Sequence, residues 1–359
     1  MLRAIIQILK IATVLTLAIL TLLGGQRFFD YAVDRSTAAD VGRRVAFSVS
    51  EDDTTDSVAD RLHTAGLIRS TVVFATQLRL SGGAFVPGDY TLRKGMTVAD
   101  IIDRITGSQA ADTGDDTEAA QFDITIPEGW RTEQIAEEAE KDGLQGGYDA
   151  LLKATETINP DNYNFLADRP AGASLEGFLF PDTYTFVSND PEYNLQLMLD
   201  DFDAKFTPEM RKRADEMGLT IFQVVTLASI VEREAVVPEE RPTIAGVYFN
   251  RIDAGWNLDA DPTMQYAVGK RGDWWPKLGG SDLDALDPAN GYNTYKNPGL
   301  PVGPIANPGL ASIQAVLSPE EHDYMFFVGK DDGSETHAFA VTKEEQDANV
   351  CQYLKQCDG

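Results

Sequence analysis

A glutamate on the apolar face of a predicted helix has the setting that acid–base chemistry requires. Thr220 and Gln223 have the spacing of a capping box, which predicts a helix that begins at residue 221 and ends before Pro238. The inward stripe of this helix consists of Ile221, Val225, Ala228 and Glu232. Desolvation on that stripe would raise the pKa of Glu232 towards neutrality, as a general acid needs. The alternative is a salt bridge between Glu232 and a core arginine such as Arg251.

Aromatic residues and an irregular loop follow this helix. The aromatic residues around the next helix ends are Trp256, Tyr266, Trp274, Trp275, Tyr292 and Tyr295. Their faces can stack on sugar rings, although ordinary packing also uses such residues. The segment 292–309 is too rich in Pro, Gly and Asn for a helix or a central strand, which favours the wall of a polymer groove over a solvent loop between helices. Asp261, followed by Pro262, is predicted to cap a third helix.

The composition excludes several classes of protein. With 30 Lys and Arg against 57 Asp and Glu, the chain has a formal net charge of -27, which argues against a nucleic-acid partner. Three His and two Cys residues are too few and too scattered for a zinc site. Motifs of the GxGxxG, P-loop and GxSxG types do not occur. We therefore expect neither a metal nor an organic cofactor.

The N-terminal segment predicts a membrane anchor. Residues 4–23 are almost entirely apolar and long enough to cross a bilayer once. Arg3 and Lys10 lie on the short side, so residues 1–3 are expected in the cytoplasm and the bulk of the chain outside. A cleaved signal peptide is the alternative. Residues 24–44 are interpreted as a stalk. An oxidising exterior would allow a disulfide between Cys351 and Cys357, and two free thiols are the alternative.

The remainder of the chain is predicted to form two folded parts of an α+β protein. Residues 49–67 and 126–144 align without gaps, each as a short strand, a turn, an amphipathic helix and a terminal glycine. This repeat assigns residues 45–147 to one small α/β module, interrupted by a polar insertion at 108–118. Residues 148–359 form the second domain, with a helical centre and a β-hairpin within 324–341.

Two resemblances connect these parts to cell-wall glycans. The strand–turn–helix units resemble LysM modules, which bind N-acetyl sugars. The second resemblance depends on five motifs: LEGFLFPDTYTF (175–186), LASIVEREA (227–235), AGVYFNRI (245–252), LDADPTMQYAVG (258–269) and YNTYKNPGLPVGPIANPGLASI (292–313). These motifs are similar to those of the MltG (YceG-like) family of endolytic murein transglycosylases. Members of that family have an inner-membrane anchor, a LysM-like module and a catalytic domain that faces the periplasm.

The resemblance implies roles for particular residues. Glu232 would be the catalytic residue, which first protonates the glycosidic oxygen and then removes the proton of the C6 hydroxyl. A 1,6-anhydro-muramyl end would result, and one carboxyl group would suffice because the attack is intramolecular. The expected substrate-binding or positioning residues are Glu176, Asp261, Tyr292, Asn293, Tyr295 and Asn307. The implied partners are peptidoglycan strands, the membrane and wall synthases such as penicillin-binding proteins.

Two other functions remain open at the level of the sequence. The first is a muramidase, which would hydrolyse the same bond with water. The second is a glycan-binding scaffold of the wall-synthesis machinery that catalyses nothing.

Overall fold

The fold is of the mixed α+β class, as the sequence predicted. A computed structural model describes residues 44–93, 96–107, 120–158, 160, 163–170, 172–279 and 285–355. The predicted membrane segment, all but the last residue of the stalk, the acidic insertion and Cys357 lie outside the described residues. In the described part no single helix has the length and hydropathy to cross a bilayer, although Pro208–Glu216 and Ile221–Glu234, bent by 95° at their junction, reach that threshold together.

The chain divides into two compact units, Met1–Thr117 and Glu118–Gly359. The first unit has one antiparallel strand pair, in which Val49 lies opposite Gly88, and a separate hydrophobic core. Thr97 caps its last helix, as predicted, through a hydrogen bond from the Asp100 amide. The elements of this unit are β1 (Arg44–Val49), α1 (Thr55–Thr64), α2 (Thr71–Ser81), β2 (Gly88–Arg93) and α3 (Val98–Ile105).

The second unit contains helices around two further antiparallel strand pairs, β3–β4 and β5–β6. The predicted C-terminal hairpin is present as β5 and β6, and α12 packs against both of its strands. The elements of this unit are β3 (Gln121–Thr125), α4 (Thr132–Asp142), α5 (Gly147–Thr157), β4 (Thr183–Val187), α6 (Pro191–Lys205), α7 (Pro208–Glu216), α8 (Ile221–Glu234), α9 (Arg241–Asp253), α10 (Asp261–Val268), α11 (Leu310–Leu317), β5 (Phe326–Gly329), β6 (His337–Ala340) and α12 (Lys343–Leu354).

The two copies of the sequence repeat lie in different units. In both copies a turn and a helix follow directly after a strand, which ends at Val49 in the first and at Thr125 in the second. Each helix is followed by a glycine with positive φ, Gly66 at 68° and Gly143 at 112°. The second copy, however, belongs to the unit that begins at Glu118, whereas the sequence analysis assigned it to the module 45–147. The physical reason is strand pairing, because β3 hydrogen-bonds to β4, with Thr125 opposite Thr183.

Helix α8 is the central helix of the second unit. Its predicted capping box is present, with Thr220 and Gln223 each accepting a hydrogen bond from the backbone N–H of the other. The helix is buried around most of its circumference between Phe222 and Val231, not along a single stripe. A helix that neighbours cover on every side buries apolar residues all round, and α9, α10 and α11 all contact α8. Glu232 lies in the last turn of this helix, directly after the last buried residue, Val231.

Candidate active site

The carboxylate of Glu232 is held by donors from two other parts of the second unit. Its Oε2 accepts hydrogen bonds from the Gly309 backbone N–H at 3.0 Å and from the Ser312 hydroxyl at 2.7 Å. Its Oε1 lies 3.4 Å from Nη2 of Arg241. Arg241 also donates to the Ser312 hydroxyl at 3.0 Å, which orients that hydroxyl towards Glu232. With a side chain only 7% exposed, Glu232 is a fixed carboxylate near the surface of the core.

The ion pair of Glu232 involves a different arginine from the one that the sequence analysis named. Arg241, at the first position of α9, is the partner at 3.4 Å. Arg251 instead donates to the backbone oxygens of Leu258 and Met325 and lies 3.8 Å from Asp259. Arg251 lies nearly three helical turns beyond Arg241 on α9, which is about 15 Å along the helix axis. The packing of α9 against α8 therefore decides which of the two arginines reaches Glu232.

Asn307 joins two loops beside Glu232, and it is fully buried. Its side chain accepts from the Leu179 N–H at 2.9 Å and donates to the Trp130 carbonyl at 3.0 Å. Its backbone pairs with the same loop, because the Asn307 N–H donates to Trp130 O and the Gly129 N–H donates to Asn307 O. Every polar atom of the Asn307 amide is thus engaged within the protein. These contacts tie Asn307 to the turn at 129–130 and to Leu179, and its expected contact with substrate stays a prediction.

Glu176 is the other buried part of this junction, with 2% exposure. Its carboxyl accepts from the Thr132 N–H at 3.0 Å, from the Tyr266 hydroxyl at 3.3 Å and from the Asn307 amide at 3.1 Å. Burial, followed by the nearby charge of Glu133, raises the pKa of Glu176 to about 8. Glu176 therefore ties the loop at 128–132 to the loop at 305–309 from inside the core.

The remaining predicted residues lie in two further places. Asn293 is fully buried and donates to the carbonyls of Leu286 and Asp287, and its Oδ1 has no hydrogen-bond partner within the described residues. The Tyr295 hydroxyl donates to Asp261 at 2.6 Å. Asp261 is the exposed first residue of α10, and the N-cap is Ala260, so Asp261 does not cap this helix as predicted. The structure thus brings Glu176 and Asn307 together and places Tyr295 with Asp261.

The predicted aromatic cluster forms in part, around two arginines. Arg131 lies over the ring of Tyr266 at 4.0 Å and also faces Trp274 and Trp275. Arg233, the neighbour of Glu232, lies over Trp275 at 4.0 Å. Tyr292 joins this group through Tyr266, with ring centroids 4.7 Å apart. Trp256 belongs elsewhere, because it packs against Phe326 of the hairpin and is 45% exposed.

A second carboxyl group, which the sequence analysis did not single out, lies beside Glu232. Glu128 is an exposed residue in the turn between β3 and α4. A methyl group placed on Gly309 would lie only 1.9 Å from Oε1 of Glu128, so the Glu128 carboxyl rests directly on Gly309. Partial burial and the charge of Glu232 raise the pKa of Glu128, and Arg241 opposes this effect. The available signal was a glutamate between Pro127 and Gly129 in the repeat, at the position aligned with Glu51.

Among the residues that the structure describes, no three His, Cys, Asp or Glu side chains converge as metal ligands. Glu232, Glu128 and their partners can transfer protons and stabilise charge.

The neighbouring Glu234 supplies a test of stability against pH. Burial raises its pKa from 4.5 to about 7, while the Tyr248 hydroxyl donates to it at 2.8 Å. Because folded Glu234 keeps a proton that the unfolded chain releases, its stabilising contribution is complete below about pH 4.5 and is lost as the pH rises through 7. Urea unfolding of Glu234→Gln should therefore show a smaller fall in stability between pH 5 and 8 than the native chain. Equal slopes, or an equal change in the exposed control Glu239→Gln, would contradict this.

Comparison with known proteins identifies the family. The YceG-like family model matches residues 47–352, so the chain belongs to the YceG-like family. It is 29% identical to the endolytic murein transglycosylase of Bacillus subtilis, over 93% of this chain and 91% of the relative. It is 27% identical to the endolytic murein transglycosylase of Streptococcus pneumoniae strain D39, over 92% of this chain but only 62% of the relative.

A solved structure agrees with this assignment. The crystal structure of a YceG-like protein of Listeria monocytogenes has 26% sequence identity and a TM-score of 0.54, and the match covers 85% of this chain and 98% of that one. Both the fold and the sequence of the present chain therefore place it in the family.

Proposed function

We propose that this chain is a membrane-anchored endolytic murein transglycosylase, which cleaves the β-1,4 bond between N-acetylmuramic acid and N-acetylglucosamine within glycan strands. The observation that carries the proposal is the carboxylate of Glu232, fixed by Gly309, Ser312 and Arg241 inside the region that matches the family. The activity named for the Bacillus and Streptococcus relatives supplies the class of reaction.

In its simplest form the mechanism uses one carboxyl group for both proton transfers. Glu232 protonates the glycosidic oxygen as the C1–O4 bond breaks and positive charge develops at the muramyl C1. The Glu232 carboxylate then removes the proton of the C6 hydroxyl, whose oxygen forms the new bond to C1. The acid is regenerated, no water is consumed, and the product is a 1,6-anhydro-muramyl end. The intramolecular attack has a high effective molarity, which removes the need for an enzymic nucleophile.

A hydrolytic muramidase is the second candidate, and Glu128 is the observation that favours it. Glycosidases that use water generally need two carboxyl groups, one as the acid and the other as base or nucleophile. Glu128 and Glu232 flank Gly309 and supply such a pair. The hydrolytic reading would give a reducing end instead of an anhydro end.

Mass spectrometry of the products separates these functions. Purified glycan strands are incubated with the full chain, and the new ends are weighed. We expect anhydro ends, one water lighter than the reducing ends that a muramidase would release. Reducing ends would replace the proposed function by hydrolysis, and binding of strands without new ends of either kind would leave a non-catalytic scaffold.

The remaining parts of the proposal extend beyond the site. We place the protein in the cell inner membrane with a single anchor at residues 4–23 and the bulk of the chain in the periplasm, on the basis of the apolar run and the flanking basic residues. The first unit is proposed to act as a LysM-like glycan-binding module, supported by its separate hydrophobic core. Cleavage of nascent strands would end their elongation, in association with wall synthases such as penicillin-binding proteins.

A further inference from the structure

The two carboxyl groups beside Gly309 have opposite surroundings. Glu232 faces three donors, the Gly309 N–H, the Ser312 hydroxyl and the Arg241 guanidinium. An ionised carboxylate can only accept hydrogen bonds, so it is expected where all the neighbouring polar groups are donors. Glu128 makes no hydrogen bond or ion pair with any residue in the described ranges, and its side chain is exposed, so a bound sugar can reach it.

The two carboxyl groups are close enough to act on the same glycosidic bond. A methyl on Gly309 would lie 1.9 Å from Glu128 Oε1, and the Gly309 nitrogen lies 3.0 Å from Glu232 Oε2. With the two intervening covalent bonds of about 1.5 Å each, the oxygens are at most about 8 Å apart. Carboxyl groups that work together on a glycosidic bond are roughly 5 to 9.5 Å apart.

We propose that Glu128 is a second catalytic residue, which carries the proton of the resting site and donates it to the departing glycosidic oxygen. This inference rests on the proposed function and divides its two proton transfers between two groups. The Glu128 proton goes to O4 as the C1–O4 electron pair leaves with that oxygen. Glu232, already a carboxylate, takes the C6 hydroxyl proton as the O6–C1 bond forms. The cycle closes when a proton returns to Glu128 from solvent and Glu232 releases the one it took, so no other reactant is needed.

The charges that face Glu128 agree with this division. Glu232 on α8 opposes a second negative charge at Glu128, whereas Arg241 on α9 favours one. The guanidinium of Arg233 lies beside Gly129, the next residue in the same turn, but it stacks on Trp275. The Glu128 carboxyl has no hydrogen-bond donor among the described residues to stabilise its charge, so the proton of the resting site resides on Glu128.

The test uses leaving groups that differ in their need for an acid. On natural strands, Glu128→Gln in the full chain should lower kcat by about a hundredfold or more, with KM little changed, because the variant cannot protonate the leaving oxygen. On a nitrophenyl glycoside of a muramyl-terminated strand fragment, whose leaving group departs unprotonated, the same variant should lose less than about tenfold. Glu232→Gln should fail on both substrates, and Glu239→Gln on neither.

Two further readouts keep the inference testable if one substrate is poor. The fall of kcat/KM at alkaline pH should disappear in Glu128→Gln, because the group whose deprotonation causes it is gone. Gly309→Ala, which keeps the N–H bonded to Glu232 but occupies the place of the Glu128 carboxyl, should reproduce the loss on natural strands. A Glu128→Gln variant with native rate and native pH profile, or equal losses on both substrates, would overturn the role of Glu128. If the native chain makes no anhydro ends, the proposed function itself fails.

Discussion

Replacing Glu232 with glutamine is expected to lower the rate of strand cleavage by at least about a thousandfold, because the side chain can no longer gain or lose a proton. The amide keeps the size of the carboxyl and an oxygen that can accept from the Gly309 N–H and the Ser312 hydroxyl. The fold and strand binding should therefore survive, and the loss should fall on kcat. The measurement is the formation of anhydro ends, by mass spectrometry, under single-turnover conditions.

Matched variants separate catalysis from damage to the fold. Glu239→Gln removes an exposed carboxylate close to the N-terminus of α9 and should retain the native rate. Ser312→Ala removes one of the two donors to Glu232 Oε2 and should lie between the native chain and Glu232→Gln. If Glu232→Gln cleaves strands as fast as the native chain, the catalytic assignment is wrong, whatever the sequence similarity suggests.

Local sequence signals predicted the elements around the site more reliably than the partners within it. The capping box at Thr220, the end of α8 before Pro238 and the hairpin of β5 and β6 follow from residues close together in the chain, and all are present. The partner of Glu232 does not follow from such signals. Arg241 and Arg251 lie on the same short helix, and only the packing of α9 against α8 decides which one approaches the carboxylate.

Residue type alone also did not predict the buried contacts of Asn307 and Glu176. Both are among the expected substrate-binding or positioning residues, and that expectation included no prediction of their burial. In the structure their polar atoms are satisfied by backbone groups of Trp130, Leu179 and Thr132. Those groups belong to segments far apart in sequence, so the compensation that permits burial exists only after folding. Glu128 is the opposite case, because it was not among the predicted site residues. It became a candidate only from its position in the folded structure, where the turn at 128–130 contacts the loop at 305–309.

Asn307→Ala is the substitution with the largest expected cost in stability. It leaves the Leu179 N–H without its acceptor, removes one of the donors to the Glu176 carboxyl, which keeps Thr132 and Tyr266, and opens a small cavity. Losses of this kind cost about 1 to 3 kcal/mol for each unsatisfied group, so a destabilisation of about 3 kcal/mol is expected. For a unit of this size that corresponds to a fall in Tm of roughly 6 to 12 °C. Calorimetry of the full chain measures it, following the transition that belongs to the second unit.

Asn349→Ala is the matched control, since that half-buried asparagine on α12 makes one long bond to Phe339 O at 3.4 Å and should change Tm little. Cleavage gives a second readout, because Asn307 also pairs with the turn that carries Glu128. At temperatures below the lowered Tm, Asn307→Ala should therefore still bind strands but cut them more slowly than the native chain. Native stability in this variant would show that the bonds of Asn307 do not fix the two loops, and native stability together with native activity would remove its positioning role altogether.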